Sequence, residues 1–174
     1  MKIAQKDNKV LRQIAKEVPM KEIKEKKIKD FLKKMSGALS LSETGVALAA
    51  PQIGESLRIF VVDKNALLPR EEEKLEDKKK KKKTDPWFFI NPVIKKMSKK
   101  KQVVPEGCLS VEGVFGTIKR ADKVTVKAYD ENGKKFTRGA SGLLAQIIQH
   151  ETDHLNGILF IDKAEILEKY EKQR

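Results

Sequence analysis

The seventeen residues from Ser141 to Gly157, SGLLAQIIQHETDHLNG, decide how the chain is read. Ser141 stands where a helix N-cap is favoured, and Asn156-Gly157 is a stop signal, so the stretch predicts a helix from about Gly142 to Leu155. The chain has two histidines, His150 and His154, and both lie inside this helix as H-E-T-D-H. Four residues is just over one helical turn, so both rings leave the same face and can grip one metal ion. Glu151, one step round, can reach a water on that ion without being a ligand. Two histidines placed at random would be four apart roughly 1% of the time, so coincidence is a poor account.

Working outward, Lys123–Tyr129 alternates, with Val124, Val126 and Ala128 on one face and lysines and threonine on the other. Asn132-Gly133 then predicts a hairpin, with Lys135–Arg138 returning. Leu57–Asp63 and Trp87–Ile94 read as strands, and Pro92 pushes the second toward a sheet edge or a bend. Ile28, Phe31, Leu32, Met35 and Leu39 form one stripe of a helix over residues 21–40. Residues 1–19 form an N-terminal arm, and a last helix is predicted over Lys163–Lys172. Helix, strands and helix in that order give an α+β fold: antiparallel or mixed sheets around a central metal-binding helix, with one N-terminal and one C-terminal helix. The whole of 1–174 reads as a single catalytic domain.

Composition narrows the class. No apolar run approaches a membrane span, and the first residues lack the apolar core of a secretory signal. One cysteine cannot form an internal disulfide, which excludes a stapled mini-protein. Thirty-eight basic against 25 acidic residues give a net charge of +13. The segment 70–85, with the run Lys78–Lys83, holds eight basic and six acidic residues and supplies only +2 of that charge. It reads as an exposed, mobile loop. A basic surface favours polyanions, RNA included. A metal-stapled RNA-binding module would want aromatics interleaved with lysine, and aromatics are only 6% of the chain.

A catalytic site of this type needs three protein ligands and one position for water. Two histidines are one short. Glu165 and Glu168 fall in the polar last segment, whereas Cys108, in P-E-G-C-L-S, offers a thiolate. Thr44–Gly54, TGVALAAPQIG, is rich in small residues that allow close backbone approach, and its Gln52 offers a neutral amide donor for an oxyanion. A zinc endopeptidase of the general H-E-x-x-H kind is the alternative; it predicts internal cleavage and no need for Cys108.

Three motifs in order, G-V-A-L-A-A-P-Q, E-G-C-L-S and Q-H-E-T-D-H, resemble those of the peptide deformylase family, and the likeness runs from Val10-Leu11-Arg12 to about Leu159. The resemblance implies that Cys108, His150 and His154 hold one divalent ion, iron(II) by preference, with zinc, nickel or cobalt as substitutes. It implies a metal-bound water or hydroxide as nucleophile, Glu151 as general base and acid, and an oxyanion stabilised by Gln52, the Leu109 N–H and the metal. The reaction implied is removal of the N-formyl group from the formyl-methionine of new polypeptides, in the cytoplasm, with formate released. Leu143, Ile147, Gly45, Val46 and Ala47 would line the methionine pocket, with Glu106 at its mouth and Gly107 beside it. N-formylmethionyl nascent peptides are the partner implied; the basic charge adds the ribosome surface, and neither DNA nor a membrane is called for. Ala47 stands where the family more often has glycine, Glu112 where proline is common, and Phe115 near an arginine of some bacterial members. Gln146 faces the pocket where an aliphatic residue is expected. Asp153 points away from the ligands and is expected to pair with Arg120.

Overall fold

Small and apolar residues set two antiparallel sheets around one buried helix. The computed structural model describes residues 2–42, 44–67 and 86–169. Strands β1 (Ala47–Ala49), β2 (Ile59–Asp63), β3 (Pro86–Met97), β6 (Lys123–Tyr129) and β7 (Lys135–Ser141) form a five-stranded sheet in that order. Strands β4 (Lys101–Cys108), β5 (Val111–Ala121) and β8 (Ile166–Lys169) form a three-stranded sheet. The helices are α1 (Lys26–Ser40) and α2 (Gly142–Leu155), with 3-10 turns between elements. Among the described residues no helix is long and apolar enough to cross a membrane. The 70–85 loop expectation lies outside the described residues.

Alternation places the core on both faces of the larger sheet. Phe60, Val62, Phe89, Val124, Val126 and Ala128 pack with Ala145, Ile147 and Ile148 of α2. Ile59, Val61, Phe88 and Ile90 point the other way, against Ile28, Leu32, Met35 and Leu39 of α1. These sets follow the period-two pleat and the helical stripe read from the sequence. The predicted helix over 21–40 begins only at Lys26, because Met20–Glu22 forms a separate 3-10 turn and Glu25 is extended.

Three local expectations change. Pro92 lies on an inner strand, between β2 and β6, and its effect is a bend: the register shifts between Ile90 and Val93. Asn91 there has φ +51, and its side chain accepts from Val18 N–H and donates to the Val18 carbonyl, both at 2.8 Å. Ser141 occupies the N-cap of α2, but its hydroxyl makes no cap bond. The predicted last helix is instead strand β8 over Ile166–Lys169. Its physical reason is Gly116 of β5, where a Cβ would come within 2.6 Å of the Ile166 carbonyl oxygen; the missing side chain lets the two strands pair. The α+β class itself, with two helices and antiparallel sheets, is as read.

Helix α2 is clamped at several points. Gln149 accepts from Ala121 N–H (2.9 Å) and donates to the Ala121 carbonyl (3.0 Å), tying the helix to the end of β5. At the C-terminus Gly157 has φ +73, and a Cβ there would lie 2.8 Å from the Arg12 backbone, so glycine is required twice over. The helix therefore runs through the core with its histidine-bearing face toward β4 and β1.

Candidate metal centre and active site

Cys108 ends β4 at a register shift against β5, which turns its side chain toward α2. Its Sγ lies 3.2 Å from His154 Nε2. The two imidazoles stand 4.9 Å apart at 82°, and donor atoms of Cys108, His150 and His154 all lie within 4.8 Å of one another. Gln52 Nε2 (3.5 Å) and the Ser110 N–H (3.4 Å) both donate toward the sulfur and hold it in place.

The second layer fixes the candidate ligands. His150 Nδ1 meets Glu106 Oε2 at 2.8 Å, which leaves Nε2 for the centre. Arg120 clasps Glu106 through two parallel bonds (2.7 and 2.9 Å) and Asp153 Oδ2 at 2.6 Å. Lys163 Nζ completes the chain at 2.6 Å from Asp153 Oδ1. The Arg120–Asp153 pair is therefore present as expected. Glu106 borders the groove, with its carboxylate turned inward onto His150 and Arg120. Sequence reading missed Glu106, Gln149 and Lys163 in these roles; for Glu106 the available signal was an acidic residue at an inward position of β4, two before the cysteine.

Burial and charge set the protonation states. Burial disfavours the imidazolium of His150, but Cys108, Glu106 and Glu151 outweigh it and lift its pKa to about 10. Burial would raise Glu106, yet Arg120 and His150 hold it down at about 2. His154 is kept well below the ordinary histidine value, first by burial and then by His150. Burial pushes Glu151 up to about 7, and its Oε2 is buried with no hydrogen-bond partner. A thiol, two imidazoles converging within ion-binding reach and an orphaned carboxylate oxygen beside them fit a divalent ion and a water.

The centre opens on a groove of about 1350 Å³. Gly45, Val46, Ala47, Gln52, Leu109, Leu143, Ile147 and Glu151 line it, so these sequence-derived site residues come together there, and Gly107 and Phe115 line it as well. Gln52 is nearly fully buried, and its Oε1 accepts from the Ala49 N–H at 2.8 Å. That bond orients the amide so that its NH₂ faces Cys108. Ala47 sits in β1 without positive φ, so alanine is unstrained in place of glycine. Gly45 is tighter: a Cβ would meet Ser42 Oγ at 2.7 Å and Leu109 Cδ1 at 3.1 Å. Gln146 donates to the Pro105 carbonyl at 2.8 Å, bridging α2 to β4 instead of offering an aliphatic wall.

A family model described as polypeptide deformylase matches residues 1–170. The chain belongs to the polypeptide deformylase family. It is 42% identical over 154 residues to the peptide deformylase of Borreliella burgdorferi, which covers 85% of this chain and 83% of that protein. It is 40% identical over 154 residues to the peptide deformylase of Fusobacterium nucleatum, covering 88% and 78%. Among solved structures, the Thermotoga maritima peptide deformylase superposes with a TM-score of 0.78 at 32% identity, covering 95% of this chain and 97% of that one. A Synechococcus elongatus peptide deformylase in complex with actinonin gives 0.77 at 34% identity, covering 95% and 79%. As a deformylase family member the chain is a metal-dependent hydrolase, and the Cys108–His150–His154 cluster is its candidate metal site.

Proposed function

We propose that this chain hydrolyses the N-formyl group of the formyl-methionine that begins new polypeptides, giving formate and a free amine. The observation that carries the reading is the convergence of Cys108, His150 and His154 beside an unpartnered Glu151 carboxylate at the base of the groove. When bound, a divalent ion supplies a Lewis acid and an acidified water; we assign iron(II), with zinc, nickel or cobalt able to replace it, since one thiolate and two imidazoles suit all four.

Glu151 takes the proton of the attacking water and hands it to the leaving nitrogen. Its pKa of about 7 suits both halves of that transfer near neutral pH. Gln52 Nε2 and the Leu109 N–H stabilise the tetrahedral oxyanion, and neither needs to reorganise: Gln52 is pinned by Ala49 and Leu109 by the turn between β4 and β5. Val46, Ile147 and Leu143 take the methionine side chain, while Gly45 keeps the wall low enough for the substrate backbone. Glu106 acts through His150, as a positioning residue. The substrate places the chain in the cytoplasm near ribosomes, where its excess positive charge favours proximity to RNA.

The test is formate release from a formyl-methionyl peptide by protein purified without oxygen and with its metal quantified. Stoichiometric metal and no formate would end this reading, and cleavage of internal peptide bonds would replace it with an endopeptidase.

A further inference from the structure

The face of the larger sheet turned away from α2 is only half covered. On β6, Val124, Val126 and Ala128 are buried against α2, so Lys123, Thr125 and Lys127 point the other way. Register places Thr137 of β7 and Val93 of β3 beside Lys127, and Lys135 beside Tyr129. Lys135 and Thr137 are exposed and Val93 is 40% exposed, so among the described residues no element shields this end. Lys95 enters the same neighbourhood from the bulge of β3.

These ammonium groups crowd one another. Lys127 is held below the usual lysine pKa by Lys135 first, then by burial and Lys95. Elsewhere Lys26, Lys119 and Lys163 each meet a carboxylate, but among the described residues no ion pair relieves Lys95, Lys127 or Lys135. Adjacent strands about 4.8 Å apart, and about 13 Å along β6 from Lys127 to Lys123, make this a basic platform about 10 by 13 Å. A row of phosphates would remove the repulsion.

The rings decide between kinds of nucleic acid. Phe136 and Trp87 stack within the α2-side core, and Tyr129 packs toward the α1-side core. Tyr129, the ring at this end of the platform among the described residues, is half-buried and already covered by the Lys135 ammonium, 5.9 Å from its centroid, so it is not free to stack on an unpaired base. Thr125 and Thr137 add hydroxyls suited to phosphate and ribose contacts.

We propose that Lys95, Lys127 and Lys135 form a docking face for the backbone of double-stranded RNA, on the side of the sheet opposite α2, leaving the catalytic groove open. This rests on the excess-charge reading and not on the hydrolytic one.

The test is fluorescence anisotropy of the metal-loaded full chain with a labelled RNA duplex of about 16 base pairs, over a salt series. Exchanging Lys95, Lys127 and Lys135 together for glutamine should weaken binding at least about tenfold at about 100 mM salt and flatten the log–log salt slope by about 2 to 3. Formyl-peptide hydrolysis should be unchanged. Exchanging Lys6, Lys9 and Lys101 removes the same charge elsewhere and should leave the slope within about 1 of the parent. Equal weakening by both sets would mean bulk charge alone and overturn the proposal. So would no binding by the parent, equal binding of a single strand of the same length, or binding of phosphatidylglycerol vesicles without binding of RNA. Loss of hydrolysis with intact RNA binding would bear on the catalytic reading only.

Discussion

Replacing Arg120 by alanine strips three charge-assisted hydrogen bonds from the floor of the site at once. Removing one partner from a buried ion pair generally costs about 3–5 kcal/mol, because the other charge is left uncompensated. Here two carboxylates lose the same guanidinium, but each keeps a second cation or donor: Glu106 keeps His150 at 2.8 Å and Asp153 keeps Lys163 at 2.6 Å. The cost should therefore sit near the lower end, about 3 kcal/mol, which for a chain of this size is a fall in Tm of about 6–12 °C. Metal affinity should fall in parallel. Glu106 would no longer be held by the guanidinium fork, His150 would lose its fixed ring orientation, and such outer-shell losses weaken metal binding about 10–100-fold. Arg120→Met keeps most of the packed volume, so it separates charge from cavity. The assays are urea denaturation of metal-loaded and metal-free protein and competition with a chelator. If Arg120→Met unfolds within about 1 kcal/mol of the parent and keeps its metal equally well, the ion network does not support the centre.

Other perturbations test the remaining parts. Cys108→Ser should leave far-ultraviolet circular dichroism unchanged while bound metal drops below stoichiometry; full metal content would remove the sulfur from the ligand set. Glu151→Gln should reduce kcat by about 10²–10⁴ and, in metal-free protein, raise stability by about 3 kcal/mol above pH 7. The sign follows from a folded pKa raised from 4.5 to about 7: the stability linked to the protonated form is complete below 4.5 and is lost as pH rises through 7. A gain at pH 4 equal to that at pH 8 would refute it. Gln52→Leu should cut kcat about 10²–10³ with KM little changed, whereas a rise in KM alone would make Gln52 a ground-state contact. With His150 protonated in the metal-free chain, its pKa near 10, calorimetry at pH 7 in buffers of different ionisation enthalpy should record about one proton released from this ring on metal uptake. Buffer-independent heats would contradict that.

The most local signals were the most legible. Helix α2 begins at Gly142 and ends at Leu155 because Asn156-Gly157 can turn only there, and the β6–β7 hairpin follows from alternation and Asn132-Gly133. The candidate ligands were readable because the chain holds so few histidines and cysteines. What was not readable depends on partners distant in sequence. Helical and strand periodicity are indistinguishable over four residues such as Ile166–Lys169, and the deciding fact is a glycine fifty residues earlier that lets a strand approach. Glu106 looks like a rim residue until Arg120, fourteen residues on, is seen across the hairpin. Lys163 reads as a surface lysine, and only the turn after α2 brings it to Asp153.

The amide of Asn91 imitates a peptide group: with one donor and one acceptor it bonds to Val18 as a neighbouring strand would, across 73 residues of chain. The leading segment is thus sewn to the sheet by a side chain, at a point where β3 is kinked. Seam and kink meet at the same residue, whose φ is +51. The segment that carries Val18 thus owes its hold on β3 to one side chain, and shortening Asn91 would loosen that hold without removing any backbone pairing of the sheet.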